Sequence, residues 1–447
     1  MDVSLKRAVL GVDLGTSAVK CVVVSDGRIV TSATADLEVE SPYPGWSEQH
    51  PARWCEAATQ AIRSAVAKSG LAQDAILGIG LSGQMHGAVA LDADHEPLRP
   101  AILWNDNRST AQCRRLAETV PEIGEIAGIG PLPGFTAPKL MWMQSEEPDL
   151  FAKVSKVLLP KDYLALWLTG ELGTDTSDAA GTMWLDQQQR EWSARLIGAS
   201  GIEADWLPPL RDGFDQVGGL RPGVADALDL PQGLPVYAGG GDAATGAIAL
   251  GAAAPGRCMM SLGTSGQLLV VDDAYKPQPD KFVHAYCHTL PDTWFRMAAM
   301  LNGARPLAWF AGVLGTSVED MLARSQTADP ARTPLFLPYL TGERSPHGDP
   351  DIRGGFYGLD AAPGAAEMAR AVVEAVAFSM VDALESFGGG AALTTPIPVI
   401  GGGSRSDIVL QTLADALSVP VARAEAGRGG AALGAALLAE VGAGLRC

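Results

Sequence analysis

Two short segments of this chain have residue types suited to holding a phosphate. Leu14-Gly15-Thr16-Ser17 and Leu262-Gly263-Thr264-Ser265 repeat the same four residues, each between apolar, β-branched runs. In the first copy Ala8 to Val12 leads in, and Val22 to Val24 leads out to Asp26-Gly27, a hairpin signal. In the second, Met259-Met260 precedes and Leu268 to Val271 follows, before Asp272-Asp273. A strand, a Gly-Thr-Ser turn and a returning strand present backbone N–H groups and hydroxyls at a tip, where phosphate oxygens can accept them. Two ordinary hairpin turns fit the same letters. A third segment tilts the reading toward a nucleotide. Val399-Ile400 reads as a strand end, Gly401-Gly402-Gly403 as a bare loop, and Ser406 as the N-cap of a helix with Val409, Leu413 and Leu417 on one face.

These segments need a scaffold, and the pattern between them supplies alternating strands and helices. Pro51 starts a helix with Trp54, Ala58, Ile62, Ala65 and Val66 on one face, and Ile76 to Leu81 is a buried strand that ends at Gln84-Met85-His86-Gly87. In open α/β sheets ligands collect beyond such strand ends. Val236-Tyr237-Ala238 reads as another strand, delivering Gly239-Gly240-Gly241-Asp242. Ala365 to Phe387 is a core-facing helix through Met368, Ala371, Val372, Ala375 and Val376, and Gly429 to Val441 is a helix of small residues. Pro231, Gly233 and Pro235 interrupt the pattern, which places a boundary between domains 1–233 and 234–447.

The order Asp13 to Ser17, Gly239 to Asp242, Ser261 to Gly266 and Ile400 to Ser406 resembles the FGGY carbohydrate kinases of the actin-like ATPase superfamily. Within that family, QMHG (Gln84 to Gly87), LWNDNR (Leu103 to Arg108), LPKDYL (Leu159 to Leu164), SDAAGTMWLD (Ser177 to Asp186) and LPYLTGERSPH (Leu337 to His347) are similar to members that act on D-xylulose. The similarity runs from about residue 7 to about residue 440. It implies an α/β fold of two actin-like, ribonuclease H-like domains facing each other across a nucleotide and sugar cleft. It also implies ATP-dependent phosphorylation of D-xylulose to D-xylulose 5-phosphate, with Mg²⁺ as cofactor, the sugar and ATP as partners, and a homodimer.

Phosphoryl transfer to an alcohol needs a carboxylate to take the proton, a group to organise Mg²⁺ and donors for the moving charge. The resemblance assigns the proton to Asp242 and the metal to Asp13, both catalytic, with Asp242 also touching the sugar. Gly15, Thr16, Ser17, Gly263, Thr264 and Ser265 would cradle phosphates, and Gly402 and Gly403 would lie against adenine and ribose. Met85, His86, Trp104, Asn105, Asp106 and Arg108 are the sugar candidates, with Lys161 and Asp162 nearby in sequence. Simpler roles compete: Asp242 as the N-cap of a helix from Ala243 to Leu250, Asp13 as an Asx cap of its own turn, Trp104 as core, and Lys20 as a solvated lysine.

The chain departs from the family at two places. Ala243 stands where members usually carry Asn or Gln, so an amide that would bind a sugar hydroxyl is lost. Members also continue for some tens of residues past the small-residue helix, so a final helix is expected to be missing.

Composition excludes other classes. The net charge of −18, with no basic stripe, repels nucleic acid and anionic membranes. No long uncharged run free of glycine reads as a membrane span, and the N-terminus has no signal-peptide core, which predicts a cytoplasmic protein. The six cysteines lack any CxxC pair, consistent with reduced thiols. His284 and His288 suggest a metal pair at helical spacing, but the run between them reads as a strand, which separates them by about 13 Å. Three rival functions remain: a kinase for ribulose, another pentulose, a polyol or gluconate; an actin-like nucleotide switch; and a non-catalytic sugar sensor.

Overall fold

The computed structural model describes residues 7–388, 393–424 and 429–446; Cys447 and the first six residues lie outside that range. The chain forms two compact units, 1–253 with 286–294 and 428–447, and 254–285 with 295–427.

The first unit is built on a six-stranded sheet. Ala8–Leu14, Ala18–Ser25 and Arg28–Asp36 form an antiparallel meander. Asp26 and Gly27 both take positive φ, 52° and 71°, and make the second turn, as the Asp-Gly pair predicts. On its other side Ala8–Leu14 runs parallel to Ile76–Gly83, which runs parallel to Pro235–Gly241. Alternation assigns the two faces. Leu10, Val12 and Leu14 share a core with Trp54, Ala58 and Ile62 of the Pro51–Ser69 helix. On the opposite face Gly11 and Gly80 receive the Ala431–Gly442 helix, where a Cβ on either glycine would lie 1.9 Å from a helix carbonyl oxygen.

The same register builds the site. Leu14 pairs with Gly83, and Gly83 with Gly241, so three parallel strands end level with one another. Asp13, the segment Gln84 to Gly87 and Asp242 therefore emerge along one sheet edge, where α/β folds bind ligands.

The second unit repeats the plan. Cys258–Leu262 and Gly266–Asp272 form the hairpin, and Ile397–Ile400 runs parallel to the first of them and Val421–Arg423 to the next. Trp294–Met300 and then Val283–Cys287 continue the sheet beyond Gly266–Asp272. Ser261 pairs with Ile400, which brings the second Gly-Thr-Ser turn beside the glycine loop. The Ala365–Glu385 helix buries Ala371, Val372, Ala375 and Val376, while Met368 is only partly buried against the core.

One boundary differs from expectation. The break at 231–235 is the turn into a strand that completes the first sheet, so the units divide after Ala253 rather than at 233/234. Strand pairing overrides the Pro and Gly signal.

Candidate active site

Asp242 opens the Asp242–Ala249 helix, with Gly241 as its N-cap, so the carboxylate belongs to the first turn and is not the cap. Water reaches the side chain, but crowding by surrounding protein removes part of its hydration. That desolvation, reinforced by the like charge of Asp13 and opposed by the Ala243 N–H, pushes its carboxyl up to about 7. Asp13 is half-buried and its carboxyl is also raised, chiefly by burial, while Ser82 and Lys20 hold it down. The Ser82 hydroxyl donates to Asp13 Oδ1 at 2.9 Å and lies 2.8 Å from Thr245 Oγ1, one turn beyond Asp242. Lys20 pairs with Asp13 across the hairpin register, and its charge helps hold the Asp13 carboxyl down.

Gly241 is held from behind. Its N–H donates to Ser177 Oγ at 3.1 Å, and Ser177 in turn donates to Asp175. Asp175 belongs to a buried group in which Lys161 Nζ lies 2.6 Å from Asp162, 3.2 Å from Asp175 and 3.8 Å from Asp178. Lys161 and Asp162 are thus paired in the interior, behind the strand that ends at Gly241.

The QMHG segment places Met85 against Gly241, where an added Cβ would sit 2.8 Å from Met85 Cγ. His86 takes a left-handed φ of 69°, which costs a non-glycine residue energy unless its surroundings hold it. They do: Thr136 Oγ1 and Lys139 Nζ donate to the His86 carbonyl at 3.1 and 2.8 Å, and Phe135 packs edge-on to the ring. His86 Nδ1 lies 2.8 Å from the Gly181 carbonyl oxygen. A carbonyl only accepts, so that contact assigns the proton to Nδ1 and leaves Nε2 an acceptor in the neutral ring.

Lys139 is fully buried, and its second acceptor is the Gly134 carbonyl at 2.6 Å. A Cβ on Gly134 would meet the Trp104 carbonyl at 2.2 Å. One amine therefore ties the backbones under both His86 and Trp104. Burial drives its ionisation well below the ordinary lysine value, with Asp106 opposing.

Trp104 is 44% exposed and Asn105 is exposed, which leaves both able to meet a ligand. Asp106 and Arg108 correct the expectation. Asp106 is buried and accepts from Ser47 N and from Arg108 N, Nε and Nη2. The Arg108 guanidinium also pairs with Glu48 at 2.7 Å and stacks 3.6 Å over Trp46. Both side chains are spent on structure.

At the first tip Gly15 and Thr16 are half-buried and Ser17 is exposed. At the second, the Gly263 and Thr264 carbonyls accept from Ala304 N and Gly303 N at 2.7 and 3.0 Å, tying the turn down, while Thr264 and Ser265 are exposed. Gly401 has φ of 92° and lies so close to Leu262 that a Cβ would stand 2.5 Å from its backbone. Ser406 accepts from Val409 N, and Val409, Leu413 and Leu417 are buried, as the helix pattern requires. Beside Gly402 and Gly403 opens a cavity of about 580 Å³, apolar along Ala304, Leu307 and Ile408 and polar at Arg405. That size and mixed lining suit a nucleoside.

Paired tips, a glycine loop beside a nucleoside-sized cavity, and two interacting carboxylates are the equipment of a kinase for small hydroxyl substrates. Models of the FGGY family of carbohydrate kinases match this chain twice, the N-terminal domain over residues 8–249 and the C-terminal domain over residues 258–443. The chain belongs to the FGGY family of carbohydrate kinases. Its two sheets are accordingly the two actin-like domains of that family. It is 45% identical to a xylulose kinase from Klebsiella pneumoniae over 97% of this chain and 89% of the relative. The crystal structure of a xyloylose kinase from Brucella ovis matches with a TM-score of 0.92 and 44% identity, covering 99% of this chain and 91% of that one. A gluconate kinase from Lactobacillus acidophilus matches nearly as well in shape, TM-score 0.91 over 99% and 90% of the two chains, at only 27% identity. Shape identifies the FGGY scaffold and does not by itself distinguish a gluconate kinase from a xylulose kinase.

Ser82, Thr245 and Lys139 escape sequence reading, and Ser177 is legible only as part of the SDAAGTMWLD block. Of these three, Ser82 leaves a trace, a hydroxyl in an otherwise apolar strand two residues before QMHG.

Proposed function

We propose that this FGGY kinase phosphorylates D-xylulose at its 5-hydroxyl with ATP, giving D-xylulose 5-phosphate and ADP. The observation that carries the reading is the strand register, Leu14 with Gly83 and Gly83 with Gly241, which sets Asp242 beside Asp13 and the His86 segment, and the Asp242 carboxyl, raised to about 7, agrees with it. A base of that strength is ionised often enough near neutral pH to act, yet basic enough to take a hydroxyl proton as the phosphoryl group arrives. His86 Nε2 accepts a hydrogen bond from one sugar hydroxyl, Met85 and Trp104 give apolar contact, and Asn105 reaches the open side. The identity of 43–45% to xylulose kinases over nearly the whole chain supports D-xylulose over gluconate.

The residues present fit Mg²⁺. Asp13 is a half-buried hard oxygen donor whose negative charge repels that of Asp242, and Mg²⁺ needs few protein carboxylates because it retains water. Bound there, the ion would neutralise phosphate oxygens. The first tip with Ser17 offers donors to phosphate oxygens, as the second does through Gly263, Thr264 and Ser265, and the cavity beside Gly402 and Gly403 suits the nucleoside.

No helix among the described residues is long and apolar enough to cross a membrane, and we place the enzyme in the cytoplasm as a homodimer, which light scattering tests. The assay for function is ADP release with D-xylulose, D-ribulose, glycerol and gluconate in parallel. D-xylulose should give the highest kcat/KM. ADP release that is equal with and without every sugar would replace the kinase reading with a nucleotide switch.

A further inference from the structure

The first phosphate turn is wired to the sugar side by hydrogen bonds whose direction can be worked out. Trp104 Nε1 lies 2.9 Å from Thr16 Oγ1, which lies 3.0 Å from Gln84 Oε1. Gln84 Nε2 lies 3.3 Å from Gln49 Oε1, and Trp54 Nε1 lies 2.9 Å from the same oxygen. Gln49 Nε2 donates to the carbonyls of Thr16 and Glu38 at 2.8 and 3.0 Å.

Both ends of the chain are indole N–H groups, which only donate. At the inner end, Trp54 and the two carbonyls fix the Gln49 amide: its oxygen accepts and its nitrogen donates. Gln84 must then turn its nitrogen to Gln49 and its oxygen to Thr16. Thr16 therefore spends its one proton on Gln84 and accepts from Trp104. A phosphate oxygen offers no proton and needs one, so the Thr16 hydroxyl has none to give it. Only its backbone and the neighbouring Ser17 remain for the phosphate.

We propose that Thr16 is a positioning residue that couples nucleotide and sugar binding, by tying the phosphate turn to the Trp104 indole on one side and to Gln84, next to Met85 and His86, on the other. Gln49 and Gln84 are 2% exposed, so the inner bonds are shielded from water, and movement of the turn on phosphate binding is passed to the indole. Coupling of this kind is reciprocal. The inference rests on the proposed sugar kinase activity.

The test measures D-xylulose Kd by calorimetry with and without a non-hydrolysable ATP analogue and Mg²⁺. The wild type should bind the sugar about fivefold or more tighter with nucleotide, the scale of a typical coupling. Thr16→Val should bring that ratio to about one, and Trp104→Phe, which keeps the turn but loses the N–H, should do the same. The double variant should lose nothing further, and Thr16→Ser should keep the wild-type ratio. A wild-type ratio of one, or Thr16→Val and Trp104→Phe both retaining the coupling, overturns the proposal. Absence of D-xylulose binding in wild type sinks the substrate assignment instead, and the ratio is then read with whichever sugar the ADP-release panel turns over.

Discussion

In the proposed reaction Asp242 is the base and His86 a binding group, and each role predicts a separate kinetic signature. Asp242→Asn should lower kcat by about 10²–10⁴-fold, and ATP affinity should be little changed. The wild-type kcat/KM should fall as pH drops through about 7, because the base must be ionised and partial loss of hydration together with the like charge of Asp13 raises its carboxyl toward that value. Stability runs the other way. A carboxyl raised from its ordinary 3.8 to about 7 holds its proton longer in the folded state, so ionising it weakens the fold as pH rises through that window. Asp242→Asn should therefore melt higher than wild type at pH 8, with the gain fading toward acid. A variant that melts lower at pH 8 would contradict the raised Asp242 carboxyl. His86→Ala should raise sugar KM about 5- to 150-fold through one unpaired hydroxyl and leave ATP KM alone. Lys139→Met should reproduce the sugar effect from the interior by freeing the His86 backbone, and equal damage to both KM values would make these residues structural only. The two acids and His86 were legible as motif residues at strand ends. Lys139 was not, because its partners are two backbone carbonyls and a carbonyl leaves no letter in a sequence. Asp106 and Arg108 misled for a related reason: beside Trp104 they look like a polar patch, and only folding brings Ser47, Glu48 and Trp46 to consume them.

The Ala431–Gly442 helix was legible as a helix, but its job was not. Its small residues exist for contact at backbone distance with Gly11 and Gly80 on the sheet, and with the helix that starts at Asp242. A Cβ on Gly434 would lie 1.8 Å from the Thr245 carbonyl oxygen. Backbone cannot step aside as a flexible side chain can, so Gly434→Ala must push one helix off the other. The expected cost is about 1–3 kcal/mol, read as a lower urea midpoint. The displaced helix carries Asp242 and Thr245, so kcat should fall as well. An unchanged midpoint would mean that the two helices are less closely packed than described. The hairpins and the Ser406 cap were read correctly because their signals are local: Asp-Gly turns, β-branched alternation and an N-cap hydroxyl. The unit boundary was misread because the Pro231 to Pro235 break is equally local, whereas membership of a sheet is decided by a strand more than 150 residues earlier, Ile76–Gly83.

At the scale of the whole molecule the net charge of −18 sets a condition that no single residue reveals. A chain so acidic repels ATP at a distance, and Asp13 and Asp242 add to the repulsion at the site itself. In the proposed site attraction comes from short-range sources: tip N–H groups, Ser17, Thr264, Ser265, and Mg²⁺ brought with the nucleotide. Salt screens the long-range term more than the short-range one, since the Debye length is about 10 Å at 0.1 M and about 30 Å at 0.01 M. Raising ionic strength over that range, with Mg²⁺ and ATP held in fixed ratio, should therefore increase kcat/KM for ATP. The neutral sugar feels no such field, so its KM should stay flat over the same series. An ATP kcat/KM that falls steeply with salt would reveal an undetected basic contact to the phosphates, with Lys20 the first residue to test by Lys20→Gln.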